Sequence, residues 1–312
     1  MRVVFMGTPE AAVPALKRLV TDGYDVVAVY TQPDRTAGRG RSLVPSPVKQ
    51  AAVRWGLPVV QPESFRNSED VKRLADLKPD VIVICAYGQI LPQSVLDIPP
   101  NQCINIHFSL LPRHRGASPV AAAILAGDEF SGVSIQLVRK KLDTGPILTV
   151  GAVPIASHDT TGSLTEKLAA AGAGLLLEAL NGWLRHEITP QLQDESRATY
   201  FSQLRKEEGE IDWTLPAEEI GRKVRAYYPW PGCFTKWRGK NLRIIQASVS
   251  PGEGSHTAGS VIAISEHETA VGVVTGRGVL VVSSLQLEGK RLMTASEFIR
   301  GQRDFIGSVL PG

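Results

Sequence analysis

Short apolar runs alternate with amphipathic stretches along the first half of the chain. The apolar runs are typical of strands, and they fall at residues 2–6, 25–30, 59–60, 80–85, 103–107 and 133–138. Stretches with helical spacing lie between them, at residues 11–20, 47–55, 68–77 and 118–126, and a longer one follows at 162–184. This alternation predicts an α/β fold with a doubly wound, mostly parallel, Rossmann-like sheet.

The pattern changes in the second half of the chain. Residues 189–206 lose apolar periodicity and gain polar side chains, which is typical of a linker. A helical stretch at 217–227 is followed by β-type runs with turn signals between them, at 233–237, 242–249, 259–264, 270–274 and 279–287. Five short strands at this spacing predict a small OB-like β-barrel domain. We therefore expect a first domain over 1–188, a linker over 189–206 and a barrel domain over 207–312.

Composition narrows the class of protein. The 312 residues allow two domains with large cores, and the mean hydropathy is near zero. No run of 18 or more apolar residues is present, and the N-terminus has the pattern of a first strand rather than of a signal peptide. The three cysteines have neither the spacing of a zinc site nor that of a disulfide framework, and Cys85 and Cys103 sit in apolar runs, where we expect buried thiols. We expect a cytoplasmic protein with no membrane association.

Positive charge is concentrated in two regions although the net charge is only +3. Residues 35–54 contain five Lys or Arg and no acid, within a long connection that includes Gly-Arg39-Gly-Arg41 and Lys49. Residues 221–312 contain twelve basic and six acidic side chains. Both regions suit a polyanionic partner, and barrels of the OB type often bind oligonucleotides. Solvated basic faces and a purely structural barrel are the alternatives.

Candidate chemistry is concentrated at the end of one predicted strand. Asn105 and His107 are two positions apart, so they share a face of that strand, and a turn containing Pro and Gly follows them. An amide can donate to an oxyanion, and an imidazole titrates near neutral pH. Asp143 lies in a second turn, Leu-Asp-Thr-Gly, that also follows a strand-like run. Reactions in open α/β proteins take place at the carboxyl ends of strands.

Two other strand ends give weaker indications. The first turn, Met6-Gly7-Thr8-Pro9, has one glycine and is not a dinucleotide fingerprint. After the strand at 80–85 the chain leaves through Ala-Tyr87-Gly88-Gln-Ile-Leu91, where apolar side chains next to exposed main chain suit a flat heteroaromatic ring. A routine strand end followed by a helix cap is the alternative for this segment.

Taken together, the blocks Asn105-Ile-His107-Phe-Ser109-Leu-Leu-Pro, Arg-His-Arg115-Gly and Leu-Asp143-Thr-Gly resemble the folate-dependent formyltransferases over nearly the whole chain. The resemblance implies catalytic roles for Asn105, His107 and Asp143. It implies a folate site, whose candidate residues are Tyr87, Gly88, Ile90, Leu91, Ser109, Leu110, Leu111 and Pro112. It also implies that Arg39, Arg41 and Lys49 contact tRNA.

The same resemblance implies a reaction. A formyl group would pass from 10-formyltetrahydrofolate, as co-substrate, to the α-amino group of methionyl-initiator tRNA, without a metal and in a monomeric enzyme of translation initiation. Asn105 and His107 would stabilise the oxyanion, and His107 with Asp143 would manage the proton. Two positions depart from the family pattern, because Phe108 replaces a small residue and Lys141 replaces a glycine.

Three alternatives remain open at this stage. The chain could be a formyltransferase for a small amine, such as glycinamide ribonucleotide or an amino sugar nucleotide, although neither substrate explains the basic loop and the barrel. It could be a nonenzymatic RNA-binding protein, against which the complete Asn, His and Asp set argues. A nicotinamide-dependent oxidoreductase would need the glycine-rich phosphate turn that the chain lacks.

Overall fold

The elements of the chain follow the predicted alternation in its first half. The computed structural model describes residues 1–37, 42–252, 256–264 and 270–312. The strands are β1 Arg2–Gly7, β2 Asp25–Tyr30, β3 Arg35–Ala37, β4 Ser42–Val44, β5 Val59–Val60, β6 Val81–Cys85, β7 Cys103–His107, β8 Arg115–Gly116, β9 Phe130–Leu137, β10 Ile147–Pro154, β11 Tyr200–Phe201, β12 Cys233–Trp237, β13 Lys240–Ser250, β14 Val261–Ala263, β15 Val271–Val274, β16 Val279–Leu287 and β17 Met293–Thr294. The α-helices are α1 Val13–Thr21, α2 Pro47–Arg54, α3 Ser68–Asp76, α4 Gln93–Leu96, α5 Pro119–Ala126, α6 Thr161–Leu184, α7 Ala217–Ala226 and α8 Ala295–Gly301.

A seven-stranded sheet forms the centre of the first unit, in the order β10-β9-β7-β6-β1-β2-β5. Five of its strands are parallel, and all five residues of β6 are buried, as expected for a strand covered on both faces. The strand order reverses beside β1, so the sheet is doubly wound. The predicted Rossmann-like fold class is confirmed.

One edge of this sheet differs from the sequence-based expectation. β9 runs antiparallel to β7, and β10, which the apolar pattern did not predict, runs antiparallel to β9. The burial of β10 alternates along its length, as expected for an edge strand, and the strand contains Gly151 and Pro154, which are disfavoured in strands. This antiparallel return carries the turn with Asp143 back toward the end of β7.

Helix boundaries in this unit follow local capping chemistry. The side chain of Ser46 accepts a hydrogen bond from the main-chain N–H of Lys49 and caps α2, which begins with Pro47. Asn67 caps α3 in the same way, through the N–H of Glu69. Both helices begin at the residues where the sequence pattern predicted them to begin, Pro47 and Ser68.

Two short strands in the long connection before α2 form a ladder. The sequence pattern predicted no strand in this connection, but β3 and β4 pair antiparallel, with Arg35 opposite Val44. Arg39 and Arg41 lie outside the described residues. The ladder contains only three residues in each strand, which is too short for a periodic pattern to reveal.

The second unit contains an antiparallel sheet in the order β12-β13-β16-β15-β14, with β17 paired to β16. Each of the five predicted strands is present. Register shifts in β13 near Gln246 bend the sheet, which curls into the predicted barrel-like form. Trp237, Phe298 and Phe305 pack edge to face, with ring centroids 5.0 to 5.5 Å apart, and form an aromatic core beneath β12 and α8.

The two units divide the chain unevenly. The first comprises Met1–Pro119, Phe130–Pro154 and Thr165–Phe201, and the second comprises Val120–Glu129, Ile155–Leu164 and Ser202–Gly312. The predicted domain limits of 188 and 207 therefore remain predictions. Within the described ranges, no helix is both long and apolar enough to cross a membrane.

Candidate active site

Asn105 and His107 occupy the carboxyl end of β7, near the middle of the sheet. On the neighbouring strand β9, Gln136 lies opposite Asn105 and Ser134 lies opposite His107. These four polar side chains therefore share one face of the two strands. Asn105 is partly exposed, and its amide makes no hydrogen bond to any residue that the structure describes. The Asn105 amide is therefore available to a ligand at this strand end.

Asp143 reaches the same place from the turn between β9 and β10. Its Oδ2 accepts a hydrogen bond from the main-chain N–H of Gly116 at 2.9 Å, and its Oδ1 accepts one from Nε2 of Gln136 at 3.0 Å. Asp143 has a φ of 54°, in the left-handed region. A Cβ at Gly145, two residues later, would lie 1.5 Å from the carbonyl oxygen of Leu137. The turn is therefore tightly folded, and its geometry aims the carboxylate inward.

His107 lies between two acceptors. Its Nδ1 is 3.5 Å from Oδ1 of Asp143, and its Nε2 is 3.0 Å from the carbonyl oxygen of His114. The His107 and Asp143 side chains are each 7% exposed. Each nitrogen of the imidazole therefore has an oxygen atom within 3.5 Å. The His107 and Asp143 side chains are thus held beside each other in a nearly water-free position.

The turn after His107 is fixed by buried hydroxyl groups. Oγ of Ser109 donates to the carbonyl oxygen of Arg113 at 2.7 Å. Oγ of Ser134 donates to the carbonyl oxygen of Ser109 and accepts from the N–H of Leu111. Leu110 packs over Gly132 of β9, and Pro112 is half-buried. The predicted folate residues 109–112 thus form one rigid turn directly beyond the Asn105 and His107 strand.

The other predicted folate residues follow β6, which pairs with β7. The ring of Tyr87 is buried in the apolar core and is 2% exposed, and burial raises the pKa of its hydroxyl. Its carbonyl oxygen accepts from Thr8, and the carbonyl oxygen of Gly88 accepts from Gln32. Leu91 packs against the core, whereas Ile90 is 90% exposed. This segment therefore presents main chain and Ile90, rather than the Tyr87 ring, to its surroundings.

Lys49, a predicted tRNA contact, is engaged in an ion pair. Its Nζ lies 2.6 Å from Oδ2 of Asp34, and Gln61 donates to the other oxygen of that carboxylate. The hydrogen bond from Lys49 lowers the pKa of Asp34, and the one from Gln61 adds to this shift. The role of Lys49 toward RNA stays a prediction, as do those of Arg39 and Arg41.

Phe108 and Lys141, the two departures from the family pattern, both point away from the Asn105 and His107 side chains or toward other partners. Phe108 is 9% exposed and points toward Gly172 of α6, so its ring packs away from the Asn105 face. Lys141 is not among the described residues with positive φ, whereas Asp143, two residues later, takes the left-handed conformation. The Nζ of Lys141 instead lies 3.8 Å from Glu195 and 5.9 Å from the Tyr200 ring centroid.

Three residues at the site were not assigned to it by sequence reasoning. Gln136 binds the Asp143 carboxylate, Ser134 fixes the turn at 109–111, and Gln193 donates to the Asp143 turn. Ser134 and Gln136 are two apart in the otherwise apolar run at 133–138, and this spacing was a usable signal. No local pattern marks Gln193, which lies in the polar stretch expected to be a linker.

The polar side chains at the end of β7 can form hydrogen bonds with a ligand. Among the residues that the structure describes, no three His, Cys, Asp or Glu side chains are grouped to hold a metal ion. The polar groups that converge here are an amide, an imidazole and a carboxylate. They suit an acyl-transfer reaction, in which an oxyanion forms and a proton moves.

Comparisons with known proteins agree with this geometry. The formyl transferase family model matches residues 1–180, and the model of its C-terminal domain matches residues 203–303. A methionyl-tRNA formyltransferase of Dehalococcoides mccartyi is 48% identical over 98% of this chain and 97% of its own length. One from Roseiflexus castenholzii is 49% identical over 100% of this chain and 99% of its own length.

A solved structure shows the same fold at low sequence identity. The N-formyltransferase from Helicobacter canadensis, in complex with folinic acid and dTDP-3-aminofucose, has a TM-score of 0.68 at 18% identity, covering 90% of this chain and 97% of its own. The likeness in fold, the two family models and the full-length relatives agree. The chain belongs to the formyltransferase family, and its full-length relatives are methionyl-tRNA formyltransferases.

Proposed function

We propose that this protein transfers a formyl group from 10-formyltetrahydrofolate to the α-amino group of methionyl-initiator tRNA. The observation that carries the proposal is the convergence of Asn105, His107 and Asp143 at one strand end, in a chain similar over its full length to methionyl-tRNA formyltransferases. The proposed role in translation initiation places the reaction in the cytoplasm. A monomeric state stays a prediction.

The reaction exchanges one bond to the formyl carbon for another. The free amine attacks that carbon, and the carbonyl oxygen becomes an oxyanion. When the oxyanion collapses, the bond from the formyl carbon to N10 of the folate breaks. A proton leaves the attacking nitrogen and a proton reaches N10, so that tetrahydrofolate and formylmethionyl-tRNA are formed and charge is conserved.

Each of the three side chains has a distinct proposed role. The Asn105 amide, which has no hydrogen-bond partner among the described residues, donates to the oxyanion. His107 donates to the oxyanion or carries the proton that leaves the amine. Asp143 orients the imidazole and stabilises its charged form from 3.5 Å.

The proposed folate site lies between the ends of β6 and β7. The rigid turn at 109–112 and the main chain at 87–88 would frame the pterin ring, with Ile90 and Leu91 at its apolar border. The support for this placement is the rigidity of the turn and the pairing of β6 with β7. We assign tRNA contacts to Arg39, Arg41 and Lys49 on the basis of charge and family resemblance.

A formylation assay tests the function. The protein would be given 10-formyltetrahydrofolate with methionyl-initiator tRNA, uncharged tRNA, glycinamide ribonucleotide or an amino sugar nucleotide. We expect product on the charged initiator tRNA alone. Product on a small amine would retain the chemistry but overturn the substrate, and no product with any acceptor would contradict the proposal.

A pair of variants tests whether the basic loop, the connection that contains Arg39, Arg41 and Lys49, binds tRNA. Because Arg39 is expected to bind phosphate and to have no chemical role, Arg39→Ala should raise the KM for tRNA and leave single-turnover chemistry at saturating tRNA unchanged. His107→Ala should do the reverse, abolishing turnover while tRNA still binds. An Arg39→Ala enzyme with unchanged tRNA affinity would show that the loop was assigned wrongly.

A further inference from the structure

Gln193 connects the polar segment after α6 to the Asp143 turn. Its Nε2 donates to the carbonyl oxygen of Asp143 at 2.9 Å and to that of Gly145 at 2.7 Å. The same nitrogen lies 3.4 Å from Oε1 of Gln136, whose own Nε2 donates to the Asp143 carboxylate. Gln193 therefore binds the turn on both sides of Thr144 and also contacts the side chain that fixes the carboxylate.

The orientation of the Gln193 amide is set by Arg115. Its Oε1 accepts from Nε of Arg115 at 3.1 Å and from Nη2 at 2.8 Å. A flipped amide would place its oxygen against two carbonyl oxygens and its N–H groups against a guanidinium. One orientation alone satisfies the network, so the amide acts as a rigid bridge between Arg115 and the turn.

Arg115 is held by a complete set of partners. Its side chain is fully buried, and it donates to Glu195 through both Nη atoms, at 2.7 and 3.0 Å. The hydroxyl of Tyr200 accepts from Nη1 at 2.7 Å. With the two bonds to Gln193, all five N–H donors of the guanidinium are used. A buried cation with every donor satisfied gives a firm anchor for the bridge.

The polar segment after α6 also positions Gly116, the second hydrogen-bond donor to the Asp143 carboxylate. β11 pairs with β8, and the N–H of Arg115 donates to the carbonyl oxygen of Thr199. The next N–H in the chain, that of Gly116, donates to Oδ2 of Asp143. Residues 193–201 therefore set the position of the turn that carries Asp143 and of a donor that binds its carboxylate.

We propose that Gln193 is a positioning residue for the catalytic Asp143, an inference that rests on the proposed function. Among the described residues it makes no hydrogen bond to His107, so it acts through the Asp143 turn and through Gln136. The position of the turn determines the 3.5 Å distance between Oδ1 of Asp143 and Nδ1 of His107. A displacement of about 1 Å at a reacting group can lower a rate by about 100-fold.

The test uses Gln193→Met, which has a similar length and neither donates nor accepts as an amide does. Gln191→Met is the matched control, because Gln191 is exposed and only its main chain bonds to Ile147. We expect Gln193→Met to lower kcat for formylation of methionyl-tRNA by about 10- to 100-fold, with each KM changed by less than about threefold. Gln191→Met should retain wild-type kcat.

A double-variant cycle separates positioning from mere stabilisation. If Gln193 acts through the Asp143 carboxylate, adding Gln193→Met to Asp143→Asn should lower kcat by less than about twofold further. A full additional loss in the double variant would overturn the proposal. So would a Gln193→Met enzyme with wild-type kcat and a lowered thermal midpoint, because that result indicates a structural role alone.

Two further measurements keep the inference testable. If Gln193→Met does not fold, Gln193→Glu retains acceptors for Arg115 but loses both donors to the turn, and it should show the same loss of kcat. Hydrogen exchange of peptides covering residues 138–146 should be faster in either variant and unchanged in Gln191→Met. Exchange does not depend on turnover. A wild-type protein that formylates no acceptor would therefore contradict the proposed function, whereas unchanged exchange in the variants would contradict this inference.

Discussion

At position 143 the residue must both adopt a left-handed backbone conformation and accept two hydrogen bonds through its side chain. Its φ of 54° is unfavourable for most residues, but Asp and Asn adopt this conformation more readily than others. Its two carboxylate oxygens each accept from a different donor, Gly116 and Gln136, and one of them faces His107. A neutral amide cannot satisfy both donors, because one end of it carries hydrogen.

Asp143→Asn tests the role of the carboxylate alone, because Asn also tolerates the left-handed backbone conformation. We expect kcat for formylation to fall by about 100- to 10,000-fold, since whichever way the amide turns its NH₂ faces a donor and the charge is lost. The thermal midpoint should move by only a few degrees. Steady-state kinetics and a melting curve check this, and turnover within about fivefold of wild type would contradict the role given to Asp143.

At the level of elements, the site depends on how closely α6 approaches the sheet. Gly172 of α6 lies over β7 and β9, and a Cβ there would be 3.1 Å from Ile106 and 3.3 Å from Val133. The absence of a side chain at this position lets the helix contact the strand that carries His107. The Phe108 ring, 3.6 Å from the same point, fills the adjacent space.

A pair of substitutions in α6 measures this packing. Gly172→Ala and Gly174→Ala gain the same helix propensity, but Gly174 is exposed with no atom within 4 Å of its added Cβ. We expect Gly174→Ala to raise the free energy of unfolding by about 0.5 to 1 kcal/mol. Gly172→Ala should be less stable than Gly174→Ala by about 1 to 3 kcal/mol, because the added methyl crowds the β7 contact.

Urea unfolding followed by circular dichroism gives this difference directly. The control removes the propensity term, so what remains is the packing of α6 against β7 and β9. Equal stabilities for the two variants would mean that the helix can shift without cost and that Gly172 is not needed for the close approach.

Considered as a whole, the molecule buries all three of its cysteines. Cys85 and Cys103 lie in strands of the first unit, buried as their apolar surroundings predicted, and Cys233 lies in a strand of the second unit. Burial raises the pKa of each thiol to about 12. Only the thiolate reacts with disulfide reagents, so the native protein should present very little reactive sulfur.

A thiol titration reports on both units at once. At pH 8 the native protein should react with a disulfide reagent for none of its three cysteines over minutes, because their pKa values lie far above the pH. In denaturant all three should react, since an exposed cysteine has a pKa of about 8.5. Rapid reaction of one native thiol would show that the unit containing it opens locally.

Much of the architecture could be predicted from the sequence, because strands and helices bury their faces with local periods. The runs at 80–85 and 103–107 identify central strands, and five short runs identify the curled sheet. The alternation of side chains along a strand is sufficient to place Asn105 and His107 on one face. The resemblance to formyltransferases added Asp143 to that pair, and the structure shows it 3.5 Å from His107.

Only the tertiary structure determined how the three groups are held. β10 contains Gly151 and Pro154, which are disfavoured in strands, so its antiparallel return was not predicted from the sequence. Gln193 and Arg115 are 78 residues apart, and contacts at such separations leave no periodic pattern in a single sequence. The sequence by itself therefore determined the elements and the chemical groups, which depend on local periodicity and side-chain type. The network that orients Asp143 was determined by folding, because it joins segments that are close only after the chain has packed.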